Sequence, residues 1–409
     1  MNLTYYQKVC IVMLYGWLML YATRMVLSPC LPLIMNEFSL TYAAGGFLFV
    51  VYFYAYVAMQ FLGGLIGDRV GRKKVLLVGT AFWSFISLLT GFSKTLWELF
   101  TYRLFLGVGQ GAHFGNDRAI VSAYTPKGKE GMGQALSMTG MGVGMALGMA
   151  LGGLLGQTYG WRLAFVILSF PAILCAFLVA KFIREPSRPA LSAEIGQENR
   201  IRYAAFFRNR DLLLLYASNA MNMYNHWFLA TWVPTVMVEV GLGELGTASM
   251  YASLFGFSAV PGLLLLGALS DKMAKRGMGR KALISIAFAS VTFLTILAAF
   301  AVEARASTSV MALLMVLEGL FIWGFYAVTY SLTSTIAPPL GYGTVFGLIN
   351  AVGFTSSIVA PWLTGMIRDT TGSFALCFYT AALPPALGCL FALFIRPPFR
   401  LKPEIPVQA

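Results

Sequence analysis

The sequence predicts an all-α membrane protein with twelve transmembrane helices in two pseudo-symmetric six-helix bundles. Three observations predict it. First, 58% of the 409 residues are hydrophobic and only 11% are charged, where a soluble globule carries roughly 25% charged residues. Second, apolar segments recur near residues 9–35, 43–66, 75–93, 97–122, 132–156, 161–183, 212–238, 247–269, 282–302, 309–336, 344–367 and 373–396. A helix crosses a bilayer with about 20 such residues. Third, a polar, basic stretch containing Pro186 and Pro189 divides six segments from six. The expected organisation is a first bundle over 1–184, a cytoplasmic linker over 185–210, and a second bundle over 211–409 that ends in a short tail.

The net charge of +13 invites a nucleic-acid reading, but its distribution argues against one. With the N-terminus inside, the cytoplasmic parts hold 22 Lys and Arg, and the external loops hold only Lys94, Arg162, Arg305 and Arg368. That asymmetry predicts that both termini are cytoplasmic. Three cations remain, Arg24, Arg103 and Arg118, and all fall within predicted helices.

Segment 1 is too long for a signal-peptide core and lacks a small-residue cleavage site, so it is expected to be retained. Arg24 lies sixteen residues past Lys8, about 24 Å along a helix at 1.5 Å per residue. That is at or just past the midplane. Trp17, Tyr21, Arg24 and Ser28 share one face by helical spacing. A buried Arg is costly in a membrane, so it needs either an interhelical ion pair or an anionic ligand. Pro29 and Pro32 are expected to bend the outer end of this helix.

Between segments 2 and 3 runs GLIGDRVGRKK, Gly64–Lys74. Gly64 and Gly67 permit close approach of the helix end to a neighbour, and Asp68 is the one acceptor among Arg69, Arg72, Lys73 and Lys74. A weaker copy, GALSDKMAKRGMGRK with Asp271, follows segment 8. Segment 4 carries Arg103, Gly107, Gln110, Phe114 and Asp117 as one stripe, with His113 flanking it and Arg118 near the cytoplasmic end. Arg118 is expected to reach Asp68 as part of an inner gate, with Arg72 and Asp271 as further gating residues. Arg103 is either a substrate or gating contact or a packing pair. Segment 5 repeats glycine at 140, 144, 148, 152, 156 and 160, a face for close helix packing. Segment 7 carries Asn219, Asn222 and His226 on one face. Segment 10 contains Glu318 near the midplane, and segment 11 places Asn350 inside the membrane.

Enzyme chemistry has no constellation to run on. The two histidines, His113 and His226, stand beside no serine or cysteine motif, and no Gly-rich phosphate loop precedes a Lys-Ser/Thr. The five cysteines all fall in apolar segments without paired spacing, so neither disulfide, metal nor cofactor is expected.

The order G-x-x-x-D-R-x-G-R-K from Gly64 resembles the signature between helices 2 and 3 of the major facilitator superfamily, and the twelve-segment plan resembles that superfamily throughout. The resemblance implies that helices 1, 4, 7 and 10 line a central path. Within the superfamily, YATRMVLSPCLP, YRLFLGVGQG, GTVFGLINAVG, GMIRDTTGS and NHWFLATWVPTVMVE are similar to the anion:cation symporter family. Proton-coupled members often carry an acid where this chain has Thr23 and another where it has Gln110. GMALGMALGG resembles an antiporter signature, with Met149 in place of its proline. The Tyr-x-x-Arg of segment 1 also resembles organophosphate:phosphate antiporters, which place a second Arg where this chain offers His226.

These observations lead to the expectation of a secondary active transporter of a small organic anion, a carboxylate or sugar acid, working by alternating access as a monomer in a prokaryotic inner membrane. Arg24 and Arg103 would bind the anion, and Tyr21, Gln110, Asn222 and His226 would read its hydroxyls. Glu318 or Asp117 would carry a proton if transport is coupled. The alternatives are organophosphate/phosphate-type antiport, drug:proton efflux and, last, a sensor without flux.

Overall fold

The computed structural model describes residues 3–126, 130–186, 208–276, 279–336 and 342–396. These residues form twelve helical rods: α1 (Tyr5–Met25 and Leu27–Phe38), α2 (Tyr42–Val70), α3 (Arg72–Thr90), α4 (Leu96–Tyr124), α5 (Glu130–Tyr159), α6 (Trp161–Phe182), α7 (Arg210–Glu239), α8 (Leu245–Phe257 and Ala259–Lys275), α9 (Arg280–Glu303), α10 (Thr308–Ile336), α11 (Tyr342–Thr371) and α12 (Phe374–Ala381 and Leu383–Phe394). No strand occurs among the described residues. Most of the 185–210 linker lies outside the described residues.

Local chemistry sets the helix ends. Thr4 with Gln7 and Thr95 with Glu98 form capping boxes on α1 and α4, and Thr41, Asn209 and Ser373 cap α2, α7 and α12. Each cap satisfies backbone N–H groups that the first turn leaves without an intrahelical partner. Gly71, at φ +117°, turns the chain between α2 and α3, a backbone conformation open to glycine. Glu185 then accepts from the N–H groups of Arg72 and Lys73 at 2.7 and 3.0 Å, capping α3 from the end of α6.

Three rods are interrupted, and proline explains each break. A proline ring clashes with the carbonyl four residues earlier. Pro29 puts that position at Met25, Pro261 at Phe257 and Pro385 at Ala381, and the helices stop at those residues. In α1 the interruption falls at Val26, nearer the centre of the rod than a bend at the outer end.

Ten of the rods have the length and apolarity to cross a membrane; α4 and α7, which carry much of the polar chemistry, make up the twelve. Tyr54, Val78, Phe170, Phe293 and Leu393 point outward and exposed, as expected of helices whose outer faces meet lipid rather than water.

Within the first half α1 packs on α5 and α2 on α4. Between halves α5 packs on α8 and α2 on α11. Glycine makes both kinds of contact. A Cβ at Gly140, Gly144 or Gly148 would overlap carbonyl oxygens of Leu14, Leu18 and Ala22 on α1. Gly142 and Gly153, on another face of α5, lie against Ala259 and Ser249 of α8. Gly160 is not a rung of this ladder: it sits at φ +84° in the turn to α6 with nothing near its side-chain position. Likewise Gly67 lies against Asn116 of α4, whereas nothing approaches a Cβ at Gly64 within 4 Å.

Candidate functional site

The halves enclose a cavity of about 620 Å³, within the range of small-molecule sites. Trp17 and Tyr21 of α1, Tyr56 of α2, His226 and Trp227 of α7, Tyr326 and Tyr330 of α10 and Asn350 of α11 form its upper walls. From there the lining descends α5 and α8 past Met138 and Gly267 to Ser270 and Asp271. The cavity therefore opens toward the basic end of the molecule, where the α2–α3 turn lies.

The opposite end is sealed. Glu239 of α7 accepts from the Tyr42 hydroxyl and from Arg368 Nη2, the latter at 3.2 Å. Asp369 of α11 accepts from the backbone N–H groups of Tyr42 and Ala43 at 2.9 and 2.8 Å, so it caps α2 across the two halves. Gln157 of α5 donates to Glu244 and accepts from the Gly246 N–H at 2.5 Å. A layer deeper, Ser28 of α1 donates to the Thr231 carbonyl of α7 at 2.9 Å.

Arg24 stands directly behind the cavity rings. Its guanidinium carbon lies 4.6 Å from the Tyr21 ring centroid, 4.5 Å from Tyr56, 5.0 Å from Tyr52, 5.9 Å from Phe53 and 5.8 Å from Trp227. Aromatic faces attract a cation, and more so where water is excluded. Trp227 comes from the second half, so the cage closes between the halves. Nε donates to Gln110 Oε1 at 3.3 Å, while buried Nη1 and Nη2 have no hydrogen-bond partner. No carboxylate is ion-paired with Arg24 among the described residues.

The remaining expected site residues divide. Tyr21 and His226 line the cavity, and His226 packs edge-on to Trp323 and Phe255. Gln110 does not face the cavity. Its oxygen takes the Arg24 Nε and the Tyr52 hydroxyl, the latter at 2.7 Å, and its nitrogen donates to the Leu20 carbonyl and to Thr23, both at 3.2 Å. With both acceptor and donor pairs spent, Gln110 orients Arg24 rather than reading a ligand. Asn222 donates to the Ile322 carbonyl at 3.2 Å, behind the wall. Arg103 is sealed inside the first half over the Phe165 ring at 5.0 Å, 1% exposed and away from the cavity lining.

The acids are engaged by neighbouring side chains. Glu318 is not set against either arginine: Thr295 of α9 donates to its Oε1 at 2.6 Å, Asn225 donates to Thr295 at 3.0 Å, and Oε2 has no partner. Asp117 is taken up by Arg118 and by Trp17 Nε1, the latter at 2.8 Å, and Arg118 also donates to Ser137 at 2.7 Å. The Asp68–Arg118 pair expected of a closed inner gate is not formed in this state, where Asp68 pairs with Arg72 one turn away. Asp271 lies 3.8 Å from Arg280.

Sequence reading passed over the tyrosines. Tyr52 with Tyr56 and Tyr326 with Tyr330 each sit four apart in apolar helices, so each pair shares a face. That spacing was the available signal.

The family model of the Major Facilitator Superfamily matches residues 13–291. The chain belongs to that superfamily, and so is a multi-pass membrane transporter and not an enzyme. It is 28% identical to a probable sulfoacetate transporter of Cupriavidus necator, over 92% of this chain and 90% of the relative. It is 24% identical to a hexuronate transporter of Bacillus subtilis, over 95% of each, and 26% identical to a probable galactarate/D-glucarate transporter of the same organism, over 88% and 86%. Among solved structures, a bacterial homologue of the human lysosomal transporter Spinster, inward-facing and occupied, superposes with a TM-score of 0.83 at 18% identity, over 98% of each chain. A D-xylose-proton symporter gives 0.77 at 19%, over 96% and 97%. These two are similar in fold.

Proposed function

We propose that the protein moves a small organic anion across the membrane by alternating access, with Arg24 as the anion anchor. The observation that carries this is a guanidinium buried between the halves with both terminal nitrogens unpartnered and no carboxylate paired to it. Two parallel N–H donors suit a carboxylate or sulfonate, which they hold by charge-assisted bonds. The names of the relatives, which describe carriers of sulfoacetate, hexuronate and galactarate or glucarate, support an organic acid as the cargo.

The positive-inside rule assigns the basic end to the cytoplasm, which makes the present state inward-open in an inner membrane with both termini cytoplasmic. Swinging Tyr21 and Tyr56 aside opens Arg24 to the cavity. Parting the halves at the sealed end removes Trp227 and opens it to the other side. Repeat halves rocking about a central site is the general form of such transport. A monomer contains all the parts of this mechanism. Any coupled proton is assigned to Glu318, whose Oε2 is unpartnered; Asp117 is engaged by Arg118.

Uptake and binding by Arg24 variants test the anchor. Arg24→Ala should weaken anion binding by about 100-fold, the loss of two charge-assisted hydrogen bonds at about 1.5 kcal/mol each. Arg24→Lys should recover only part of it, because an ammonium lacks the planar fork. Unchanged uptake in Arg24→Ala protein that inserts normally would refute the proposal.

A further inference from the structure

The charge inventory of the cavity goes further than its shape. Arg24 supplies one fixed positive charge. Across from it, the walls from α7, α10 and α11 offer His226, Tyr326, Tyr330 and Asn350, none of them Lys or Arg. Among the described residues, the charged side chain that lines the cavity is an acid, Asp271, near the mouth. The other two membrane-embedded cations do not line the cavity. Arg118 is matched by the Asp117 carboxylate. Arg103, whose Nε and Nη2 are also unpartnered, is buried over Phe165 within the first half, and a rocking motion of whole halves leaves it there.

A second carboxylate on the cargo would thus be stripped of water against aromatic rings and neutral amides with no counter-charge. Burying an unpaired charge in such surroundings is strongly unfavourable. Hydroxyl groups meet the opposite situation. Tyr330 donates to Asn350 Oδ1 at 2.8 Å, and both ring nitrogens of His226 are without a partner, so the wall can both donate to and accept from an uncharged polar chain.

We infer that the site selects a monoanion, with its single acidic group at Arg24 and an uncharged hydroxylated tail against His226, Tyr330 and Asn350, and discriminates against the dianion of the same skeleton. This deepens the anion-anchor reading and rests on it. The test is binding to the purified full-length protein at neutral pH of four six-carbon probes: glucuronate, gluconate, glucarate and glucose. The two monoanions should stabilise the protein against heat, with glucarate and glucose at least tenfold weaker.

Glucarate binding as tightly as glucuronate would overturn the inference and leave the anion anchor standing. Glucose matching the monoanions, or no response to any probe, would overturn the anchor and the inference together. Asn350→Lys places a new cation on the α11 wall of the cavity and should raise the glucarate-to-glucuronate affinity ratio; His226→Lys makes the same change on α7. If a folded lysine variant leaves that ratio unmoved, the wall does not set charge selectivity.

Discussion

At the scale of single residues, a membrane-buried guanidinium needs a reason, since placing one at a helix centre costs about 2.5–3.5 kcal/mol on insertion scales. The depth of Arg24 was readable from its distance past Lys8. Its surroundings were not: helical spacing on α1 says nothing of which side chain on α4 lies at the same level. That is why Gln110 looked like a ligand reader and proves to be saturated by Arg24, Tyr52, Leu20 and Thr23. The partner of Glu318 was illegible for the same reason. The sequence put it near the midplane, while the fold turns it toward Thr295 and away from both arginines. Its isolation from cations sharpens its test. If Glu318 carries a coupled proton, Glu318→Gln should abolish accumulation driven by a pH gradient while exchange without a gradient continues. Accumulation with unaltered pH dependence would remove Glu318 from the mechanism.

At the scale of elements, the twelve segments were visible because each is apolar, long and bounded by turns or charge. The glycine spacing of α5 was visible too, but its partners were not. Two faces of one helix serve different neighbours, α1 inside the half and α8 across the divide, and a periodic sequence does not say which neighbour each face meets. The distinction between rungs and bystanders predicts opposite outcomes for one kind of change. Gly144→Ala drives a methyl into the Leu18 carbonyl oxygen, and should destabilise by about 1–3 kcal/mol as overpacking does. Gly64→Ala meets open space and should be close to neutral. Thermal unfolding of the two purified variants separates them; equal melting points would show that the α1–α5 contact yields easily.

At the scale of the whole molecule, two halves and a basic face follow from charge and composition alone. The choice of closed end does not, because one sequence must encode both closures. The inner pairing expected of Asp68 and Arg118 gives way here to pairs within each neighbourhood, Asp68 with Arg72 and Asp117 with Arg118. What joins the halves instead is the far-end set of Glu239, Tyr42, Arg368, Asp369, Gln157 and Glu244. Sequence could not assemble that set, because its members come from four separate turns of the chain.

Among these contacts, the cap that Asp369 places on α2 gives the backbone itself a memory of which end is shut. While the seal holds, the amide hydrogens of Tyr42 and Ala43 are engaged by a carboxylate from the other half. When the halves part, the Ala44 and Gly45 amides keep a local acceptor in Thr41, and the two freed amides meet water. Deuterium uptake at these two positions should then act as a label-free clock of outward opening, since protection reports the population of opened states. Glu239→Gln weakens the same seal without touching the cap, and should quicken uptake there while leaving the buried turns of α4 unchanged. Identical uptake in the two proteins would mean that Glu239 does not hold that end closed.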